Sequence, residues 1–148
     1  MTQIEGLILS QDNGDLRFGN YKLDAKFKVS DFEHLGDSYK VKTFKEITKL
    51  ERNDLFVYES VPGTVVLNFK ALGSEVEFDV EGYADTQIAL GLDTWAWDKK
   101  IFIKGDKTAP HVFIDGVNTG NAVTNLGGKL VFSAELSDAP KHIRVVKF

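Results

Sequence analysis

Both tryptophans of the chain stand one residue apart, in the run Asp93-Thr94-Trp95-Ala96-Trp97-Asp98. Residues two apart on a strand share a face, so Trp95 and Trp97 would present two indoles side by side. Such a pair stacks on the apolar face of a sugar ring, and the carboxylates of Asp93 and Asp98 would supply a polar rim for its hydroxyls. Core or interface packing is the plain alternative, because tryptophan is mostly buried and is enriched at interfaces. The expectation is a saccharide-binding site at Asp93, Trp95, Trp97 and Asp98.

Other chemistry is hard to place. The sequence holds no phosphate-cradling glycine loop, no Gly-x-Ser-x-Gly elbow and no His-Glu-x-x-His pair. His34, His111 and His142 lie far apart without Asp or Glu at ligand spacing, so neither a metal nor any other cofactor is expected. From Glu75 to Asp98 the chain has seven acids (Glu75, Glu77, Asp79, Glu81, Asp85, Asp93, Asp98) and no lysine or arginine. Calcium would suit such a run, but alternating acids are also what the wet face of a strand carries, and that is the expectation. Pairs such as Asp79 and Glu81, or Asp93 and Asp98, are too easily produced by an acidic β-protein to mark a glycosidase. Asp12-Asn13-Gly14-Asp15 lacks the ligand alternation of an EF-hand loop and reads as a tight turn.

The strands that would position these residues are visible as period-two alternation. Val76, Phe78 and Val80 are expected to point inward, with Glu75, Glu77, Asp79 and Glu81 facing water. Val65, Leu67 and Phe69 precede them; Ile88, Leu90 and Leu92 follow; Leu130, Phe132, Ala134 and Leu136 come later. Turn signals at Asn53-Asp54, Pro62-Gly63, Asp115-Gly116 and Gly127-Gly128 separate the runs. The stretch from Phe44 to Arg52 fits a helix or a strand; the strand is favoured, because Asn53-Asp54 would then close a two-residue hairpin pairing Leu50 with Val57.

These patterns predict an all-β antiparallel β-sandwich. A soft boundary near Val61-Pro62-Gly63-Thr64 would divide it into an N-terminal β-hairpin segment, 1–61, and an immunoglobulin-like half, 62–148, with about seven candidate strands. The whole is one domain, since 148 residues suffice for one core and hairpins alone would have little of their own. Eleven phenylalanines against one methionine suggest that large rings fill the gap between sheets. With a formal charge of −4, no positive field draws in a polyanion, so neither nucleic acid nor an acidic membrane is an expected partner. The lack of cysteine, and an opening Met-Thr-Gln-Ile-Glu-Gly without a signal-peptide pattern, lead to the expectation of a cytoplasmic protein.

Several segments taken together resemble a family of small clostridial proteins that carry the name endosialidase, or endosialidase catalytic beta chain. They are Leu16 to Tyr21, Asp31 to His34, Tyr39 to Glu51, Phe56 to Thr64 and Thr124 to Leu130. The sequence departs from that pattern at Asn53-Asp54, where Asn-Gly is usual, and around Trp95 to Thr108, which looks like an insertion. The resemblance implies association with glycans. It transfers no catalytic residue, and the chain has too few strands for a sialidase propeller, whose three carboxylate-binding arginines would take up Arg17, Arg52 and Arg144, all the arginines present. The function expected is therefore non-catalytic carbohydrate binding, with a structural or self-assembling homo-oligomer as the alternative.

Overall fold

Alternating apolar and polar residues can bury one side of a strand only by pairing it into a sheet and covering that side. The computed structural model, which describes residues 7–11, 14–72, 75–91, 111–121, 123–124 and 129–146, does this with fourteen strands. They are β1 (Ile8–Ser10), β2 (Leu16–Phe18), β3 (Phe27–His34), β4 (Asp37–Phe44), β5 (Ile47–Arg52), β6 (Leu55–Val61) and β7 (Thr64–Leu72). After these come β8 (Glu75–Gly82), β9 (Thr86–Gly91), β10 (His111–Ile114), β11 (Val117–Asn121), β12 (Val123–Thr124), β13 (Lys129–Ala134) and β14 (Lys141–Val146). All pairings are antiparallel. The first sheet runs β1-β2-β7-β8-β14-β10-β11 and the second β12-β13-β9-β6-β5-β4-β3.

The two sheets pack as a sandwich. Val76, Phe78 and Val80 on β8 and Ile143 and Val145 on β14 meet Leu50, Tyr58, Ile88, Leu90 and Leu130 of the opposite sheet, all of them buried. A cluster of rings fills the centre: Phe18 lies 5.2 Å from Tyr58 and 5.5 Å from Phe69, and Phe78 lies 5.7 Å from Tyr58. Edge-to-face contacts of this kind add about 0.5–1.5 kcal/mol each beyond the area they bury. Strands from before and after Pro62 share both sheets, because β2 pairs with β7 and β6 with β9.

Two registers differ from the alternation in the sequence, and a β-bulge explains each. On β7, Val65 and Phe69 are buried as expected, but Val66 is the fully buried residue between them and Leu67 is only half-buried. Asn68, at φ 54°, is the extra residue that shifts the phase against both β2 and β8. In the next case the Asn53-Asp54 hairpin forms as expected, with both turn residues at positive φ, but Leu50 pairs with Tyr58 and not with Val57. A shift between Leu50 and Glu51 inserts one residue of β6, so Val57 and Tyr58 are both buried. Leu92 lies outside the described residues.

The passage from β6 to β7 carries the chain from one sheet to the other and is held by hydroxyls. The Thr48 hydroxyl accepts the Thr64 N–H at 3.0 Å and donates to the Thr64 carbonyl at 3.2 Å. Its single proton being used, Thr48 accepts from Thr43 at 2.7 Å, and Thr43 in turn accepts the Asn20 N–H at 2.9 Å. Tyr58 and Ser60 reach the Thr64 hydroxyl at 2.8 and 2.9 Å. Thr43, Thr48, Tyr58, Ser60 and Thr64 are all buried, so the bonds among them replace bonds to water. Gly63 is required beside them, because a Cβ there would run into the Phe44 carbonyl.

Candidate functional site

Asp93, Trp95, Trp97 and Asp98 lie outside the described residues. Within those residues the most site-like feature is a cavity of about 270 Å³ at one mouth of the sandwich. It opens between β2 and β7 of the first sheet and β4, β5 and β6 of the second, beside the β3–β4 turn. Leu16, Val57, Phe69 and Tyr39 give it an apolar floor, while Asp15, Asp37, Arg52, Lys70 and His34 give it polar walls of both signs.

Local structure sets each wall. Asp37 opens β4, and its carboxylate accepts from the Asn53 side chain at 2.9 Å, which links the β3–β4 and β5–β6 turns. Tyr39 stands opposite Arg52 across the β4–β5 pair. Burial raises the Tyr39 pKa above the ordinary phenol value; the Arg52 charge and hydrogen bond pull against that and the Asp37 charge adds to it. His34 ends β3, and its Nδ1 lies 2.6 Å from the Ser10 hydroxyl on β1. That bond joins the edge strands of the two sheets and closes their flank beside the cavity.

Leu35 stands out at this mouth. It is 84% exposed and holds φ 52° in the two-residue turn Leu35-Gly36, where both residues lie in the left-handed region. Such a turn prefers Asn-Gly, and a non-glycine residue there carries about 1–2 kcal/mol of strain. The backbone strain at this exposed leucine on a cavity rim motivates a test of contact there. Sequence reasoning missed it. The Leu-Gly step between two alternating runs was the available signal.

A second polar array covers the outer face of the first sheet. His142 on β14 stands opposite Asp79 on β8, with Nδ1 2.8 Å from Asp79 Oδ1 and Nε2 2.7 Å from Glu77 Oε2. The Asn68 amide donates to the other Asp79 oxygen at 2.8 Å, and Gln11 grips Asn68 through both its backbone N–H and its side chain. Lys70 lies 4.0 Å from Glu77, and Arg144 pairs with Glu75. The acids expected to face open water are thus half-buried among cations of neighbouring strands. Tyr21 donates to Glu81 at 3.0 Å, and its pKa is pushed up to about 12 by burial first and by that carboxylate next. Among the described residues no group of three His, Asp or Glu side chains is arranged to hold a metal ion. Period-two alternation puts His142 and Arg144 on the outer face, but the register against β8 is tertiary information.

No known protein family, curated protein or solved structure compared with the chain matches it.

Proposed function

We propose that the protein is a non-catalytic binding module for saccharides and that the mouth cavity receives one sugar ring. The observation that supports this is the lining: an apolar floor for the C–H face of a ring, bordered by carboxylates and cations that can accept from and donate to its hydroxyls. Its volume, about 270 Å³, lies near the lower end of ligand pockets and suits a single ring. Trp95 and Trp97, with Asp93 and Asp98, enter the proposal as a second stacking contact, carried by the sequence alone.

The assembly reading draws on edge strands, and the described edges are poor templates for pairing. β1 has three residues, β12 has two, the five-residue β11 is interrupted by a bulge opposite Val112, and β3 is interrupted by a bulge between Val29 and Phe32 and carries Lys28. These features favour binding over assembly.

A glycan array read together with native mass measurement tests the proposal. A monomer holding one saccharide is the expected result, with Leu35→Asn weakening binding by about tenfold or more while the fold gains about 1 kcal/mol. Arg52→Ala should weaken binding as well, and Trp95→Ala/Trp97→Ala should do so if the indoles stack. A silent array together with a ring or filament by mass would overturn the proposal and leave assembly in front.

A further inference from the structure

The outer face of the second sheet carries charge in an arrangement hidden from the sequence, because its members sit on three strands. Lys28 on β3 stands opposite Lys42 on β4, and Lys42 stands opposite Lys49 on β5. The row has one inter-strand spacing, ~4.8 Å, between neighbouring backbones. Lys40 shares its face on β4, and the four lysines border a depression of about 230 Å³ together with Ser30 and Glu51. Like charges directly opposite one another disfavour pairing. Lys40 is relieved by Asp54 at 2.7 Å and Lys49 reaches Glu51 at 4.0 Å, but Lys28 and Lys42 have no ion-pair partner among the described residues.

Two ordinary explanations fall short. Lysine on an edge strand discourages unwanted pairing, which accounts for Lys28, yet β4 and β5 are interior strands. A solvated face usually mixes its signs, and the first sheet does so by setting Lys70, His142 and Arg144 among the β8 acids. The second sheet mixes signs at the margins, with Lys40 opposite Glu51 and Lys49 opposite Glu59, but sets Lys28, Lys42 and Lys49 side by side.

We propose that this row binds a tetrahedral oxyanion, a sulfate or phosphate ester, borne by a saccharide chain. The lining has lysines and no arginine. Planar carboxylates are best met by the two-pronged guanidinium, whereas ammonium point charges can converge on oxygens that diverge in three directions. Ser30 and Glu51 offer the donor and acceptors that neighbouring sugar hydroxyls need. No aromatic ring lines the depression, so it lacks the stacking platform of a single-stranded nucleic-acid site. The formal charge of −4 describes the molecule from afar; within the screening length of ~8 Å the row governs what it meets. The saccharide carrier rests on the function proposed above, whereas the oxyanion does not.

The test is a titration followed by backbone-amide shifts and affinity. Its arms are a sulfated oligosaccharide, its desulfated parent, a phosphorylated and a carboxylated counterpart, inorganic sulfate, and single-stranded DNA. The sulfated and phosphorylated sugars should bind, with shifts centred on Lys28, Lys42 and Lys49 and affinity falling as salt rises. The triple variant K28Q/K42Q/K49Q should lose at least about tenfold in affinity while melting no lower than the natural chain, because its own repulsion is gone. Inorganic sulfate, which offers the sandwich mouth no ring to hold, should still shift the Lys28, Lys42 and Lys49 amides weakly, so the two readings fail separately. Equal binding of the desulfated or carboxylated sugar, equal binding of DNA, or an unaffected triple variant would overturn the proposal. If inorganic sulfate moved the three lysines as strongly as the sulfated sugar, the saccharide carrier would be overturned.

Discussion

Both ring nitrogens of His142 face carboxylate oxygens, and an imidazole can donate to two acceptors only when both nitrogens are protonated. Burial works against that cation, but the hydrogen bonds and charges of Asp79 and Glu77 outweigh it, so its pKa is raised above 6.5. A folded pKa above the unfolded one contributes stability that is fully present below the unfolded value and is lost as pH rises through the folded value. NMR titration of the His142 ring should therefore give a midpoint above 6.5. In urea unfolding, the stability lost on His142→Gln should be greatest below pH 6.5 and shrink as pH rises beyond that midpoint. A midpoint at or below the ordinary histidine value would show that the two carboxylates do not hold the ring as described.

Strand β7 owes its core phase to one residue. Asn68 absorbs the bulge at φ 54°, and its side chain ties the bulge to Gln11 and Asp79. Asparagine tolerates the left-handed region, and glycine tolerates it better; a Cβ without a compensating amide does not. Asn68→Gly and Asn68→Ala both lose the side-chain bonds, so comparing them isolates the backbone contribution. The alanine variant should be less stable than the glycine variant by roughly 1 kcal/mol in denaturant unfolding. Equal stabilities would mean that β7 can shift its register and dispense with the bulge, at the expense of Val66 or Phe69 in the core.

Interleaving predicts that the two sheets unfold as one cooperative unit. Residues 62–148 alone would leave β7 without β2 and β9 without β6, and would remove Phe18 and Tyr58 from the ring cluster. Each lost ring is worth about 3–5 kcal/mol when truncated, comparable with the whole stability of a small domain. The full chain should therefore unfold in a single calorimetric transition, and a 62–148 fragment should show no cooperative melt. A sigmoidal transition in that fragment would indicate that the C-terminal half carries a core of its own.

Alternation by itself determined that this chain forms an antiparallel sandwich and which face of β8, β9 and β13 turns inward, because a side-chain period of two is a local property of a strand. Asn53-Asp54 and Asp115-Gly116 likewise announced their turns, since residues that tolerate positive φ are few. What a residue stands opposite was decided only in three dimensions. Glu77 and Asp79 are 65 and 63 residues from His142, and Lys28, Lys42 and Lys49 look unremarkable until register sets them abreast. The bulges at Asn68 and Val57 reversed the phase of alternation that was otherwise regular, and the mouth cavity drew its lining from both sheets. Pairing and packing depend on contacts distant in sequence, and no local pattern encodes them.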